Sequence, residues 1–259
     1  MNLGLTGRKA IVCASSRGLG KACAAALAAE GVAVVVNGRD PDRLAATADE
    51  IRKATGSTVT VVAADVATEA GRERLLAACA EPDILVTNNG GPMPGRFEDW
   101  DHAAWLAALE ANLLAPVLLI RAVVAGMRAR RFGRIVNITS AMVKAPHPAM
   151  GLSTAARSAL TAVCKGLSKD VAGDNVTINN LLPERIDTDR QRFMAQVRAA
   201  TGGITIEEAY AEMTRSIAAN RLGTPEEFGA ACAFLCSAHA GYVSGQNLQL
   251  DGGSYAGVY

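Results

Sequence analysis

The stretch "KAIVCASSRGLGKACAAALAAEG", residues 9–31, decides the reading of the fold. Residues 9–14 are a short apolar run that reads as a strand, and residues 20–31 form an Ala-rich helix ended by Gly31. Between them, "SSRGLG" places Ser15, Arg17, Gly18, Leu19 and Gly20 in a turn that opens the helix. Gly18 and Gly20 let the backbone approach a diphosphate at a helix N-terminus, where free N–H groups and the helix dipole favour an anion. A glycine pair alone also fits an ordinary tight turn; the strand before it and the helix after it sharpen the reading. Ala14 stands where the first glycine of such a loop is expected.

Outward from this unit the same alternation continues. "VAVVVN" (32–37) is a second strand, followed by a helix with Asp40 as N-cap and Pro41 at its first position. "TVTVVAAD" (58–65), "DILVTN" (83–88), "GRIVNIT" (133–139), "VTINNLLP" (176–183) and "NLQLD" (247–251) bring the strands to seven. Helices are expected near 68–80, 100–127, 152–173 and 225–237. Continuous apolar runs of strand length are buried on both faces, which means a parallel sheet covered by helices. The expected architecture is a single α/β domain over residues 1–259, a Rossmann-like doubly wound sheet with its ligand site at the carboxyl ends of the strands.

Cofactor choice is read from the end of the second strand. NAD sites place an acidic residue about 20 positions after the glycine turn to hold the ribose hydroxyls. Here that strand ends with Asn37 and Arg39. Arg17 and Arg39 suit a 2′-phosphate that a carboxylate would repel, so NADP(H) is favoured over NAD(H). Solvated arginines are the plainer alternative.

Composition narrows the partners. The chain has 259 residues, half of them hydrophobic, and a net charge of +1, which offers no footprint for nucleic acid or an anionic membrane surface. No apolar run is expected to reach the length of a bilayer crossing, and the N-terminal residues lack a secretory pattern. Six cysteines without CxxC spacing read as buried thiols of a cytoplasmic protein, and no metal site is expected.

"SSRGLG" (15–20), "AADV" (63–66), "DILVTNNGG" (83–91), "EANLLAP" (110–116), "GRIVNITSA" (133–141), "IDTDR" (186–190) and the ending at 221–253 follow one another in a telling order. In these pieces the chain resembles the short-chain dehydrogenase/reductase family, above all its β-ketoacyl-acyl-carrier-protein reductase-like members. The resemblance implies that Asp65 and Val66 contact the adenine, and that Asn88 and Gly90 lie beside the adenosine ribose. It implies a helix-distorting Asn112 that supports a proton relay, and a Ser140 that hydrogen-bonds the substrate carbonyl. Pro183, Ile186 and Thr188 would cover the nicotinamide, and residues 189–219 would form a substrate lid. It further implies a small-molecule carbonyl or alcohol substrate and a homotetramer built on helices 100–127 and 152–173 and on the C-terminal strand.

One piece departs from the pattern. Spacing from Ser140 and from Pro183 puts the family's catalytic Tyr on Ser153 and its Lys on Arg157, and no Tyr precedes Tyr210. A phenol titrates near about 10, within reach of a neighbouring cation, whereas a Ser hydroxyl is a far weaker acid. Arg157 suits the ribose hydroxyls as a donor fork but does not serve as a base. The replacement acid would be His147, Lys144, Glu184, or a water held by Ser140, Ser153 and Asn112. His147 and Glu184 also read as plain loop or helix-end residues. Glu184 itself stands where the family has Gly. Three readings stay open: hydride transfer with a replaced acid, dinucleotide binding without catalysis as a regulatory or scaffold protein, and cofactor-independent carbonyl chemistry.

Overall fold

The computed structural model describes residues 2–258. Its seven strands are β1 (Lys9–Val12), β2 (Ala33–Gly38), β3 (Val59–Ala63), β4 (Ile84–Thr87), β5 (Gly133–Ile138), β6 (Val176–Pro183) and β7 (Asn247–Leu250). They form one sheet in the order β3-β2-β1-β4-β5-β6-β7, with every neighbour parallel. Strand order reverses between β1 and β4, and that switch point opens a crevice at the carboxyl ends.

Alternation along the strands builds two cores. On β1, Ala10 and Val12 face one side and Ile11 and Cys13 the other, all fully buried. The first side packs α1 (Gly18–Ala29), α2 (Pro41–Thr55) and α9 (Pro225–Cys236) through Leu27, Leu44 and Phe228. The second packs α3 (Glu69–Ala77), α5 (Ala115–Ala129) and α6 (Gly151–Val171) through Leu75, Met127 and Leu160. Asp40 caps α2 by accepting from Arg43 N at 3.1 Å, with Pro41 at the first position as its sequence requires. All six cysteines are buried free thiols.

One expectation gains detail and one is corrected. The helix expected over 100–127 is α4 (His102–Leu109) joined to α5 by one π-helical turn, Glu110–Leu114. The 28-residue run His102–Ala129 contains an 18-residue window with a mean hydropathy of 1.8, by length and composition enough to cross a bilayer. The sequence reading missed this because Glu110, Arg121 and Arg128 break the run into shorter apolar pieces. One face of the run belongs to the second core. The segment expected as a lid contains α7 (Asp189–Gly202) and α8 (Ile206–Arg215), which pack on each other through Ala195, Ala199, Ala209 and Met213.

A polar row crosses four strands below the crevice. Thr87, Asn137, Asn180 and Asn247 are register partners from β4 to β7. Thr87 Oγ1 donates to Asn137 Oδ1 at 2.7 Å, Asn137 Nδ2 to Asn180 Oδ1 at 2.9 Å, and Asn180 Nδ2 to Asn247 Oδ1 at 2.7 Å. Replacing Asn137 by Leu leaves the buried Thr87 hydroxyl and Asn180 Oδ1 without their partner. We expect a loss of about 2 kcal/mol in chemical denaturation; an unchanged midpoint would show the row to be energetically idle.

Candidate active site

The glycine turn is built by contacts across the sheet. Ala14 has φ +44°, a left-handed conformation that favours glycine. Its carbonyl accepts from Asn88 Nδ2 at 3.2 Å, and its N–H donates to Asn37 Oδ1 at 3.3 Å. Asn37 also donates to Val62 O and Ala64 O, so it braces the loop from below. Ser15 is fully buried, and its hydroxyl joins β1 to β2 through Val12 O and Asn37 N–H. Gly20 serves packing: a Cβ there would stand 2.3 Å from Ala14 O. Gly18, at φ +55°, is the position that faces the crevice, opposite Thr188.

No side chain caps the N-terminus of α1 at Arg17, whereas Asp40, Thr68, Asp101, Thr205 and Thr224 cap α2, α3, α4, α8 and α9. Its first N–H groups are therefore open to an anion. Arg17 pairs with Asp189 at 3.6 Å, and Arg39 stands 3.9 Å from Asp65 with its side chain exposed. Asp65 Oδ1 accepts from Ala67 N, and Val66 is buried in the second core. Cys13 is no nucleophile, because burial pushes its thiol up to about 12.

Gly90 and Gly91 follow Asn88 and Asn89 beyond β4. Asn89 donates to Ala111 O at 3.2 Å and so ties this loop to the π-turn. Asn112 sits in that turn, buried, and donates to Ala108 O at 3.3 Å. Sequence reasoning missed Asn89; the Asn doublet after a strand was its only local signal. Ser140 follows β5 and caps a short 3₁₀ turn, and its oxygen accepts from Met142 N at 3.2 Å, which leaves the O–H free to donate. Pro183 ends β6, Ile186 is buried against Gly223, and Thr188 opens α7.

Ser153 and Arg157 lie one turn apart on α6 and are only 3% and 8% exposed. Arg157 Nη1 donates to Ser153 Oγ. Burial first, and the charge of Arg190 second, lower Arg157 to about 10.

The other candidate acids have contacts of their own. His147 is exposed, and its Nδ1 accepts from Ala149 N. Lys144 Nζ lies 5.4 Å from the Tyr255 ring centroid. Glu184 accepts from Ser254 Oγ and its N–H donates to Leu250 O, so this residue fastens the C-terminal segment.

The chain is similar to known oxidoreductases along nearly its whole length. A family model described as enoyl-(acyl carrier protein) reductase matches residues 13–255. The chain is 31% identical over 264 residues to the uncharacterized oxidoreductase YvaG of Bacillus subtilis, covering 100% of both. It is 34% identical over 258 residues to dehydrogenase/reductase SDR family member 4 of Bos taurus, covering 96% of this chain and 88% of that protein. The structure of L-sorbose reductase from Gluconobacter frateurii, complexed with NADPH and L-sorbose, superposes with a TM-score of 0.94 at 30% identity over 100% of both chains.

Proposed function

From the premise that this chain belongs to the short-chain dehydrogenase/reductase family of NAD(P)-dependent oxidoreductases, we propose that it interconverts a carbonyl and an alcohol with NADP(H). The observation that carries the cofactor choice is the uncapped N-terminus of α1, flanked by Arg17 and Arg39 with Asn37 in place of a carboxylate. The open cradle at Gly18 and the free N–H groups fit a dinucleotide diphosphate. Arg39 and Arg17 would take the 2′-phosphate, Asp65 and Val66 would border the adenine, and Asn88 and Gly90 the ribose. Pro183, Ile186 and Thr188 would flank the nicotinamide. Calorimetric titration tests this: NADPH should bind at least about tenfold tighter than NADH, and Arg39→Ala should remove most of that preference. Equal affinities in the unaltered protein would sink the NADP reading.

When bound, the cofactor supplies or accepts the hydride. The chain supplies the rest. Ser140 donates its O–H to the carbonyl oxygen. Ser153, whose oxygen is held by Arg157, keeps its own O–H for the same oxygen or for a water shared with Ser140 and Asn112. The positive charge on Arg157 favours the oxyanion left behind. With Lys144 placed against Tyr255 and His147 turned outward, Ser153 and such a water are the proton source this geometry supports. Ser140→Ala should lower kcat about tenfold or more with cofactor affinity unchanged; an unchanged kcat would remove Ser140 from the chemistry.

The weak acidity of Ser153 keeps a second reading in view, a dinucleotide-binding protein without turnover. It requires NADPH affinity with no oxidation on any carbonyl. The cofactor and the buried thiols suit a cytoplasmic setting. Exposed Leu106, Leu114 and Val163 on α4, the π-turn and α6, and exposed Leu248 on edge strand β7, support a homotetramer. Light scattering should give four copies; a stable monomer would overturn this.

A further inference from the structure

Arg157 and Arg190 are two cations that meet the loop after β4 at Gly91. Arg157 comes from α6, and a Cβ on Gly91 would stand 3.3 Å from both of its terminal nitrogens. Arg190 comes from the first turn of α7 and donates to Gly91 O at 3.3 Å and Pro92 O at 3.1 Å. The two guanidinium groups therefore reach one short loop from opposite elements. The acids nearest in the chain, Asp187 and Asp189, pair with Arg192 and Arg17. Among the described residues, neither Arg157 nor Arg190 has a carboxylate within ion-pair distance.

A buried guanidinium without a counter-charge is costly, and converging donor forks match a carboxylate bidentately. On the oxidoreductase reading above, we propose that Arg157 and Arg190 form a carboxylate-binding subsite and that the substrate is a short oxo acid or its hydroxy acid. The Arg157 fork touches the Ser153 hydroxyl, so the carboxylate and the reacting carbonyl stand one or two carbons apart, as in a 2- or 3-oxo acid. The cofactor's phosphates are the other source of an anion. The fold directs those to the uncapped end of α1 beside Arg17 and Arg39, leaving the α6 flank for the substrate. Arg157 then reads as a substrate ligand in place of the ribose ligand that the family pattern implies.

The test is a calorimetric titration of the protein, with and without NADPH, using acetoacetate, 2-oxobutyrate and their methyl esters. At least one oxo acid should bind ten or more times tighter than its ester. Arg190 is exposed, so Arg190→Gln leaves the fold intact; it should cut that affinity about tenfold and leave NADPH affinity unchanged. Equal affinity of acid and ester, or binding of neither, overturns the proposal. So does competition between the oxo acids and NADPH, or loss of NADPH affinity in Arg190→Gln, because either gives the cations to the cofactor. Failure of NADPH to bind at all would remove the oxidoreductase reading instead, and the acid-to-ester comparison on the free protein would still decide the subsite.

Discussion

Gly20→Ala is expected to lower NADPH affinity about a hundredfold, roughly 2.7 kcal/mol, and to destabilise the fold by about 3 kcal/mol. The added methyl would meet Ala14 O at 2.3 Å, and Ala14 C and Ser15 Cα at 2.9 Å each. All three are backbone atoms, so no rotamer change relieves the clash. Either α1 moves off the end of β1 or the turn unwinds. Both displace the N–H groups that the diphosphate needs, and Ala14 already sits in a left-handed conformation with its carbonyl held by Asn88. Gly18→Ala is the control. There the new carbon would be 3.7 Å from Thr188 Cγ2, so the cost to the fold is about 1 kcal/mol from φ +55°, and a loss of NADPH affinity would report the methyl in the crevice itself. Calorimetry and thermal melting of both variants check this. Wild-type affinity in Gly20→Ala would show that the helix terminus is not the phosphate site.

These two glycines show what sequence can and cannot say. The loop was legible because strand, turn and helix are adjacent in the chain and each has a local signature. The division of labour inside it was not. Gly18 and Gly20 looked alike as points of ligand approach, yet Gly20 answers to Ala14 and only Gly18 faces the crevice. The Asp40 cap was readable for the same local reason.

Contacts that need strand register or loop placement were out of reach. The row from Thr87 to Asn247 joins four separate strands, Asn89 reaches Ala111 in the π-turn, and Arg190 reaches Gly91 from α7, 99 residues away in sequence. The Ser153–Arg157 contact is the intermediate case. An i,i+4 spacing on one helix brings side chains together, so their meeting was implicit in the sequence. The direction of the fork, toward Ser153 and Gly91, was not.

That pair carries the second large effect. Ser153→Tyr combined with Arg157→Lys should raise NADPH-dependent ketone reduction about a hundredfold, the lower range for a well-matched general acid. The reasoning is spatial and then chemical. Ser153 is buried, and the guanidinium that bonds its hydroxyl fills the neighbouring space. Shortening Arg157 to Lys vacates room for a phenol while keeping a cation beside it. The phenol reaches further toward the substrate oxygen than a Ser hydroxyl does, and it titrates near about 10, close enough for a cation to bring it toward working range. Arg190 and Ser140 remain to hold the substrate. Steady-state kinetics on a folded double variant decide among three outcomes. A gain shows that weak acidity alone limits the natural site. No change shows that Glu184, fastened to Ser254 where the family has Gly, has reshaped the pocket beyond that exchange. A fall in rate shows that the hydrogen-bonded Ser153 and Arg157 are themselves the working acid, selected for a substrate whose own charge needs the arginine fork.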